Sequence, residues 1–305
     1  MNRTLGFILA LFTFAMVATD SHAQLSVHMK PTKDTFVAYE PVKVVLTITN
    51  RAGRDVVLAG RGRSPWLTFQ VSDAQGHLVS PRNENQFQPV LVPPGQSLKR
   101  TITVNSMYSM SQKGIYRIRA SVYFTQLDQF FNSKQETIQI SDGKKLWHQV
   151  LGVPEGNEGA GTYRRFTLLS FNTGAEKQLY LRVQDEKSGA VMTTYSLGQV
   201  IMIRDPQWTI DLENRLHILH MGAPQTYAHS VIGIDGTMVA REVYREKGGD
   251  RPKMVSTADG DIVVVGGVSE QDEKQNPLSE SVRKLSERPP GLPKPGGNVG
   301  AGFLN

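Results

Sequence analysis

The first half of the chain alternates apolar and polar residues with a period of two. In "PVKVVLTITN", Val42, Val44, Leu46 and Ile48 fall on one side, while a lysine and two threonines fall on the other. "GIYRIRASVYF" repeats the pattern. Strands that bury one face and expose the other have this period. Turn-forming segments such as "NRAGRD" and "VPPGQS" separate the runs, so a sandwich of about seven or eight short strands is predicted over residues 24–150.

The second half has strand-like runs joined by acidic turns. "QWTIDLENRLHILHM", "AHSVIGIDGTMVAREVY" and "PKMVSTADGDIVVVGG" each read as an apolar strand, a turn and another apolar strand. Their leading aspartates, Asp211, Asp235 and Asp259, are 24 residues apart each time. This spacing indicates a weak repeat of β-hairpins over residues 162–268. The predicted fold class is therefore all-β, with an N-terminal sandwich and a second β-rich domain.

A glycine-rich segment separates the two predicted domains. "GVPEGNEGAG", residues 152–161, has four glycines and little to pack, so residues 151–161 are predicted to be a linker. The charge changes there as well. Residues 24–150 carry 16 basic and 8 acidic side chains, a net of +8, whereas residues 151–305 carry 17 and 19, a net of −2. The overall charge of +6 therefore comes from the first domain.

The two ends of the chain predict an exported protein with a flexible tail. Arg3, an apolar run of 14 residues and the small residues of "SHA" before Gln24 have the layout of a signal peptide over residues 1–23. The run is shorter than the roughly 20 residues that span a bilayer. Residues 269–305 are polar and then rich in proline and glycine, which predicts disorder. We expect a periplasmic or extracellular protein without a transmembrane segment in its mature chain.

The absence of cysteine narrows the chemistry. With no cysteine in 305 residues, disulfides, thiolate metal sites and thiol catalysis are excluded.

Four arginines surround one short strand of the first domain and predict either a basic surface for anionic partners or ordinary solvated loops; these are Arg51, Arg54, Arg61 and Arg63. No aromatic-plus-basic motif accompanies them, so nucleic acid is not an expected partner.

Short motifs in the first domain suggest a family. In "SQKGIYRIRA", Tyr116 lies two residues before Ile118, as in the tyrosine corner of immunoglobulin-like sandwiches. Trp66 lies on an earlier strand, in the position of a core tryptophan. Residues 25–140 resemble a bacterial immunoglobulin-like domain, and the "YEPVKVVLTITN" opening is similar to macroglobulin-type modules and to a family of bacterial proteinase inhibitors. The resemblance implies a β-sandwich without the antibody-type disulfide.

The hairpins of the second domain resemble those of β-propeller blades, especially "DLENRLHILH". A blade needs about 40–45 residues and the smallest propellers have about four blades, whereas residues 162–268 number 107. A partial propeller, a second small sandwich, and blades completed by another chain are the alternatives.

Three histidines and a tyrosine cluster in "RLHILHMGAPQTYAHS"; they are His217, His220, Tyr227 and His229. In a helix His217 and His220 would share a face, but in a strand their odd spacing puts them on opposite faces. The hairpin repeat favours the strand, with His220 partly buried beside Leu216 and Ile218, and with His217 and His229 capping or lining a surface. No further ligands have zinc spacing and no nucleophile motif is present, so no metal, cofactor or catalytic residue is assigned.

These features favour a non-enzymatic binding or scaffold protein of the cell envelope, with a protein or polysaccharide partner. One alternative is a glycan hydrolase that uses carboxylates of the second domain, with Asp211, Glu213 and Asp235 as candidates. A proteinase inhibitor is the other, with "SPRNENQFQP" as its exposed loop.

Overall fold

The chain is described by a computed structural model over residues 24–62, 64–82 and 87–270. These residues form two compact units, of which the first ends at Gly143 and the second begins at Lys144. Both units are built from β-strands, so the prediction of an all-β chain is confirmed. The predicted signal peptide and nearly all of the predicted tail lie outside the described residues.

The described part of the first unit contains ten strands and two single 3-10 turns. The strands are β1 (Leu25–Pro31), β2 (Thr35–Val37), β3 (Lys43–Asn50), β4 (Val56–Leu58), β5 (Leu67–Ser72), β6 (Val90–Val92), β7 (Ser97–Thr103), β8 (Gly114–Phe124), β9 (Gln129–Asn132) and β10 (Glu136–Ser141). The 3-10 turns are Val104–Ser106 and Thr125–Leu127. One sheet has the order β1-β3-β7 and another the order β2-β10-β8-β5, with β9 pairing with β8; β4 and β6 form a separate pair. The pairing of β2 with β10 is parallel.

Alternation in the sequence becomes alternation in burial. On β3, Val44, Leu46 and Ile48 are buried, and the residues between them are exposed or half-buried. On β8 the buried positions begin with Tyr116 and continue with Ile118 and Ala120. These residues belong to one hydrophobic cluster that draws on both sheets. The apolar face of each strand thus fixes which side of its sheet meets the core.

Trp66 and Tyr116 lie in this core, as the sequence predicted. Trp66 has no exposed surface, and its indole N–H is directed at the backbone carbonyls of Phe87 and Gln88, each 3.1 Å away. The Tyr116 hydroxyl donates to the carbonyl of Gln112, four residues upstream, at 3.1 Å. This bond satisfies the phenol at the edge of the core.

We expect two tyrosine substitutions in this core to differ in cost. Tyr116→Phe removes one hydrogen bond at the edge of the core and should lower the free energy of unfolding by about 1 kcal/mol. Tyr108→Phe should cost about 2–3 kcal/mol, because the Tyr108 hydroxyl both donates to the Phe69 carbonyl and accepts from the Phe69 N–H, which would remain buried without partners. Urea unfolding measures both variants. Equal losses would contradict this ranking.

The described part of the second unit contains eleven strands. They are β11 (Lys144–Gly152), β12 (Tyr163–Asn172), β13 (Lys177–Asp185), β14 (Val191–Gln199), β15 (Gln207–Ile210), β16 (Leu216–Ala223), β17 (Thr226–Ile232), β18 (Met238–Arg245), β19 (Lys253–Ser256), β20 (Ile262–Val265) and β21 (Val268–Ser269). The first four form an antiparallel sheet in chain order, and β15-β16-β17-β18-β21 form a second sheet. β19 and β20 form a separate hairpin.

One hydrophobic cluster joins the two larger sheets of this unit. It contains Leu168 of β12 and Leu181 of β13 together with Ile218 of β16 and Ile232 of β17. We call the side of the second sheet that carries Ile218 its inner face and the opposite side its outer face. Strand β20 lies against the outer face, since Val263 borders the same cavity as His217.

The domain boundary differs from the predicted one. The sequence placed residues up to 150 in the first domain and a linker at 151–161, but β11 belongs to the second unit and pairs with β12. The glycine-rich segment is the loop between these two strands, closed by hydrogen bonds such as that from the Val153 N–H to the Thr162 carbonyl. β11 carries adjacent exposed lysines and little apolar alternation, so its strand character was not evident.

The hairpin repeat is present, but its aspartates are not equivalent. Three turns share one geometry, in which the N–H of the first residue donates to the carbonyl four residues on: Asp211 to Arg215, Gly233 to Thr237, and Thr257 to Asp261. Asp211 therefore opens its turn, whereas Asp235 and Asp259 hold the third position. The turns begin 22 and 24 residues apart, so the equal aspartate spacing does not mark equivalent sites.

A left-handed residue closes each of these turns, as in three-residue hairpin loops with a bulge. Gly236 has φ of 84° and Gly260 also has 84°, while the first turn uses Asn214 at 58°. Asparagine tolerates this region better than other residues with a side chain.

Alanine substitutions at two such glycines should separate backbone strain from crowding. A Cβ at Gly189, with φ of 70°, would meet nothing within 4 Å, so Gly189→Ala should cost about 1 kcal/mol. At Gly236 a Cβ would lie 2.8 Å from a methyl of Thr193, and Gly236→Ala should cost about 2 kcal/mol more. Denaturant unfolding of the second unit measures both. A Gly236→Ala protein as stable as the Gly189→Ala protein would contradict this packing.

Candidate functional site

The second sheet separates the four residues that the sequence singled out. His217, Tyr227 and His229 lie on the outer face, because His217 pairs with Val231 in the register and His229 with Leu219. His220 pairs with Ala228 and lies on the inner face with Ile218. The predicted strand, with its two histidines on opposite faces, is therefore confirmed. The predicted surface position of His217 and His229 is wrong: they are only 4% and 6% exposed.

A hydrogen-bonded chain links Asp211, His217 and His229. His217 Nε2 lies 3.0 Å from Asp211 Oδ2, and His217 Nδ1 lies 3.2 Å from His229 Nε2. The two imidazoles are stacked, with centroids 5.3 Å apart and planes inclined by 27°. The three residues come from the β15–β16 turn, β16 and β17, so only the paired hairpins bring them together.

The β15–β16 turn holds the Asp211 carboxylate in place. Its Oδ1 accepts the backbone N–H groups of Glu213 at 2.9 Å and Arg215 at 2.8 Å, and its Oδ2 accepts from Arg215 Nε at 2.6 Å. Burial by itself would raise the pKa of Asp211, but the hydrogen bonds from Arg215 and His217 together hold that pKa below its ordinary value. The carboxylate is ionised at neutral pH and accepts a hydrogen bond from His217 Nε2.

The Asp–His–His chain ends at a cavity of about 340 Å³, which we call the hairpin cavity. Its polar lining comes from His217, His229, Glu242 and Tyr244, and its apolar lining includes Val231 and the three β20 residues 262–264. Glu242 pairs directly with His229 in the β17–β18 register. The Tyr244 hydroxyl donates to Glu242 Oε2.

Burial keeps two of the histidines neutral. It lowers the pKa of His229 to about 4, an effect that the neighbouring His217 strengthens and Glu242 opposes. Burial also lowers the pKa of His220 to about 4; the charge of Arg241 contributes, and a contact with the backbone of Gln199 opposes the shift. Both imidazoles are therefore uncharged at neutral pH.

His220 has a different environment from the outer-face pair. It is 2% exposed, and neither ring nitrogen makes a hydrogen bond of normal geometry. Ser230, also buried on the inner face, has an unpaired hydroxyl. Tyr227, on the outer face, is buried with an unpaired hydroxyl as well. His220 thus belongs to the core rather than to the hairpin cavity.

A larger concavity lies where the turns of the second unit meet, and we call it the turn cavity. It measures about 830 Å³. Its walls come from the β11–β12 loop, the start of β14 and the turns that open with Asp211 and Gly233. Arg215 lines it and bonds to Asp211, so the Asp–His–His chain connects the linings of the two cavities.

The candidate carboxylates of a hydrolase lie on two turns: Asp211 and Glu213 share the β15–β16 turn, and Asp235 lies in the β17–β18 turn. Asp211 is engaged by Arg215 and His217, and Asp235 Oδ1 accepts from both the backbone N–H and the hydroxyl of Thr237. Glu213 and Asp235 both line the turn cavity. Glu213 is 70% exposed and pairs with Arg215 at 3.0 Å.

The arginines of the first unit are spread over loops. Arg51, Arg54 and Arg61 are exposed. Arg61 forms an ion pair with Asp128 at 3.0 Å, which removes part of its positive field. Arg63 lies outside the described residues, as do positions 83–86 of the loop "SPRNENQFQP".

Sequence reasoning missed Glu242 and Tyr244. They alternate on β18 in "AREVYR" and therefore share a face, but only the register places that face beside His229. In the described ranges, no three or more histidine or acidic side chains are arranged to hold a metal ion. Nor is any helix there long and apolar enough to cross a bilayer.

No protein-family model and no curated protein matches this chain. Among solved structures, it is similar to the crystal structure of Spo0M, a sporulation control protein from Bacillus subtilis, at 9% sequence identity. That alignment covers 86% of this chain and 97% of Spo0M, with a TM-score of 0.26. At this TM-score the likeness carries no argument about function.

Acid should weaken the second unit through its buried histidines. The folded-state pKa values of His220 and His229 lie near 4, below the ordinary 6.5, so the unfolded chain binds more protons between these values. Their contribution to stability is complete above pH 6.5 and declines as pH falls towards 4. From pH 7 to 4.5 each histidine should cost about 2–3 kcal/mol.

Replacing His220 tests this dependence. His220→Leu should remove about half of the loss attributed to the two histidines, while His148→Leu, at an exposed position of β11, should leave the loss unchanged. Urea unfolding at pH 7 and pH 4.5 gives the free energies. An unchanged pH dependence in His220→Leu would contradict the assignment.

Proposed function

We propose that this chain is an exported, non-enzymatic binding protein of the cell envelope that engages a protein partner through the turn cavity. The observation that carries the proposal is a concavity of about 830 Å³ with exposed aliphatic side chains around it. Export rests on the signal-peptide pattern of residues 1–23. The cavity lies within the size range of binding sites in proteins.

The lining favours a protein over a polysaccharide. Leu212 is 81% exposed, Val239 56% and Met192 46%, and all three line the turn cavity. Apolar side chains grouped at a concave surface mark sites where proteins dock. None of the described lining residues is aromatic, whereas sugar rings are commonly bound by stacking on aromatic faces.

The charges beside the turn cavity are paired within the chain. Arg164 forms an ion pair with Asp185 at the base of the β12–β13 pairing, and Arg215 is shared between Asp211 and Glu213. These ion pairs hold the side chains of the cavity wall in place before a partner binds. Less conformational entropy is therefore lost when the wall is ordered on binding. The partner then needs apolar contacts more than an opposite net charge.

We also propose an immunoglobulin-like class for the first unit. Supporting it are the two sheets, β1-β3-β7 and β2-β10-β8-β5, and the hydrogen bond of Tyr116 to Gln112. The first two strands belong to different sheets: β1 pairs with β3 in one sheet, and β2 pairs in parallel with β10 in the other. Immunoglobulin-like modules commonly act in recognition, which agrees with a binding role.

For the second unit we propose a relationship to propeller blades. Strands β11–β14 form a four-stranded antiparallel meander in chain order, and β15–β18 form another, which is the strand order of a blade. A third hairpin, β19–β20, follows.

Site-directed photo-crosslinking tests the proposed protein partner. A benzoylphenylalanine at position 212 should crosslink one discrete protein in an envelope extract, while the same group at Ile203 should not. Ile203 is 79% exposed and does not line the turn cavity, so it is a matched control. The captured protein is then purified for direct binding.

Direct binding decides the proposal. Leu212→Arg should weaken the affinity for the purified partner at least tenfold, a loss of about 1.4 kcal/mol, while Ile203→Arg should not change it. A glycan array and incubation with polysaccharides and proteins run in parallel. Binding only to glycans, or turnover that Glu213→Gln or Asp235→Asn abolishes, would overturn it.

A further inference from the structure

The hairpin cavity has a hydrogen-bonding character of its own, distinct from that of the turn cavity. Its volume of about 340 Å³ lies at the lower end of the range for small-molecule sites. One wall is the outer face of the second sheet and the other is β20. A ligand there would contact imidazole, carboxylate and phenol groups on one side and aliphatic side chains on the other.

When both imidazoles are neutral, the Asp–His–His chain has one arrangement of ring donors and acceptors. The ionised Asp211 carboxylate accepts from His217 Nε2, so a neutral His217 has its lone pair on Nδ1. This lone pair accepts the N–H of His229 Nε2. A neutral His229 then has its own lone pair on Nδ1, and its ring is left with an acceptor to offer. In this arrangement the buried carboxylate sets the tautomer of His229 through the imidazole of His217.

The remaining polar groups also favour a ligand that donates. Glu242, opposite His229 in the register, is acceptor-only when ionised, and one of its oxygens accepts from Tyr244. Neither lysine nor arginine is among the described residues that line the cavity. The cavity therefore combines one carboxylate with an imidazole acceptor and has no cationic side chain to balance them.

We propose that the hairpin cavity binds a small aliphatic ammonium group, either of a free primary amine or of a lysine side chain. Three N–H donors of an ammonium suit the Glu242 carboxylate and the His229 lone pair. The aliphatic stem packs on the apolar wall, which includes Val231, Ile262 and Val264. The second unit thereby has a small-ligand site in addition to its protein-docking surface.

Calorimetric titration of the full chain at pH 8 tests this site, with n-butylamine as the probe. n-Butanol, of the same shape without the charge, should bind at least tenfold more weakly. Glu242→Gln should weaken butylamine binding at least tenfold, whereas Glu213→Gln, in the turn cavity, should leave it unchanged. Ala240→Leu keeps every polar group but fills part of the cavity, and should also weaken binding.

A measurement on the wild-type protein guards against misfolded variants. Butylamine should shift the ¹⁵N resonances of His229 and leave those of the exposed His148 in place. A short lysine-containing peptide is titrated in parallel: peptide binding tighter than that of butylamine identifies a lysine side chain as the ligand, and binding by butylamine without the peptide identifies a free amine. Equal binding of butanol and butylamine, an unaffected Glu242→Gln, or unshifted His229 resonances at 20 mM probe would overturn the proposal.

Discussion

The second unit depends on one buried carboxylate. Asp211 has only 3% of its side chain exposed. Its carboxylate nevertheless accepts hydrogen bonds from the backbone N–H groups of Glu213 and Arg215 and from the side chains of Arg215 and His217. Each of these bonds closes the β15–β16 turn or orients a neighbour. An ionised group is costly to bury unless such partners compensate it. Loss of the carboxylate would therefore leave Arg215 and His217 without their shared partner and would release the turn.

From this carboxylate the polar contacts extend in two directions. Through Arg215 they reach the turn cavity, where ion pairs and aliphatic side chains form the wall. Through His217 they reach His229 and the hairpin cavity. Asp211 thus links the linings of the two cavities through these two partners. The two surfaces nevertheless suit different ligands, because one is bordered by exposed aliphatic groups and the other by acceptors.

The two faces of the second sheet explain why neighbouring histidines differ. His220 lies over the hydrophobic cluster and His217 lies under the β19–β20 hairpin, although only two residues separate them. Both are buried. His217 has two polar partners, whereas the ring nitrogens of His220 have no partner of normal geometry. Their chemical roles follow from the face of the strand and not from their proximity in sequence.

Much of the architecture followed from local patterns. Alternation with period two identified strands such as β3 and β8, and it did so because one face of each strand must be buried. The core position of Trp66 was foreseen in the same way, and its side chain is fully buried. β11 was missed because its exposed lysines obscure the pattern, and the loop after it was taken for a linker.

The sequence by itself determined three features: strands that bury one face, the positions of the turns, and the opposite facing of His217 and His220. All three depend on residues close together in the chain. Only the tertiary structure decided that Asp211, His217 and His229 meet, and that Glu242 pairs with His229. These contacts depend on the register between strands, which is set by how two apolar faces pack against each other. Spacing along the chain contains no such information, as the unequal roles of Asp211 and Asp235 show.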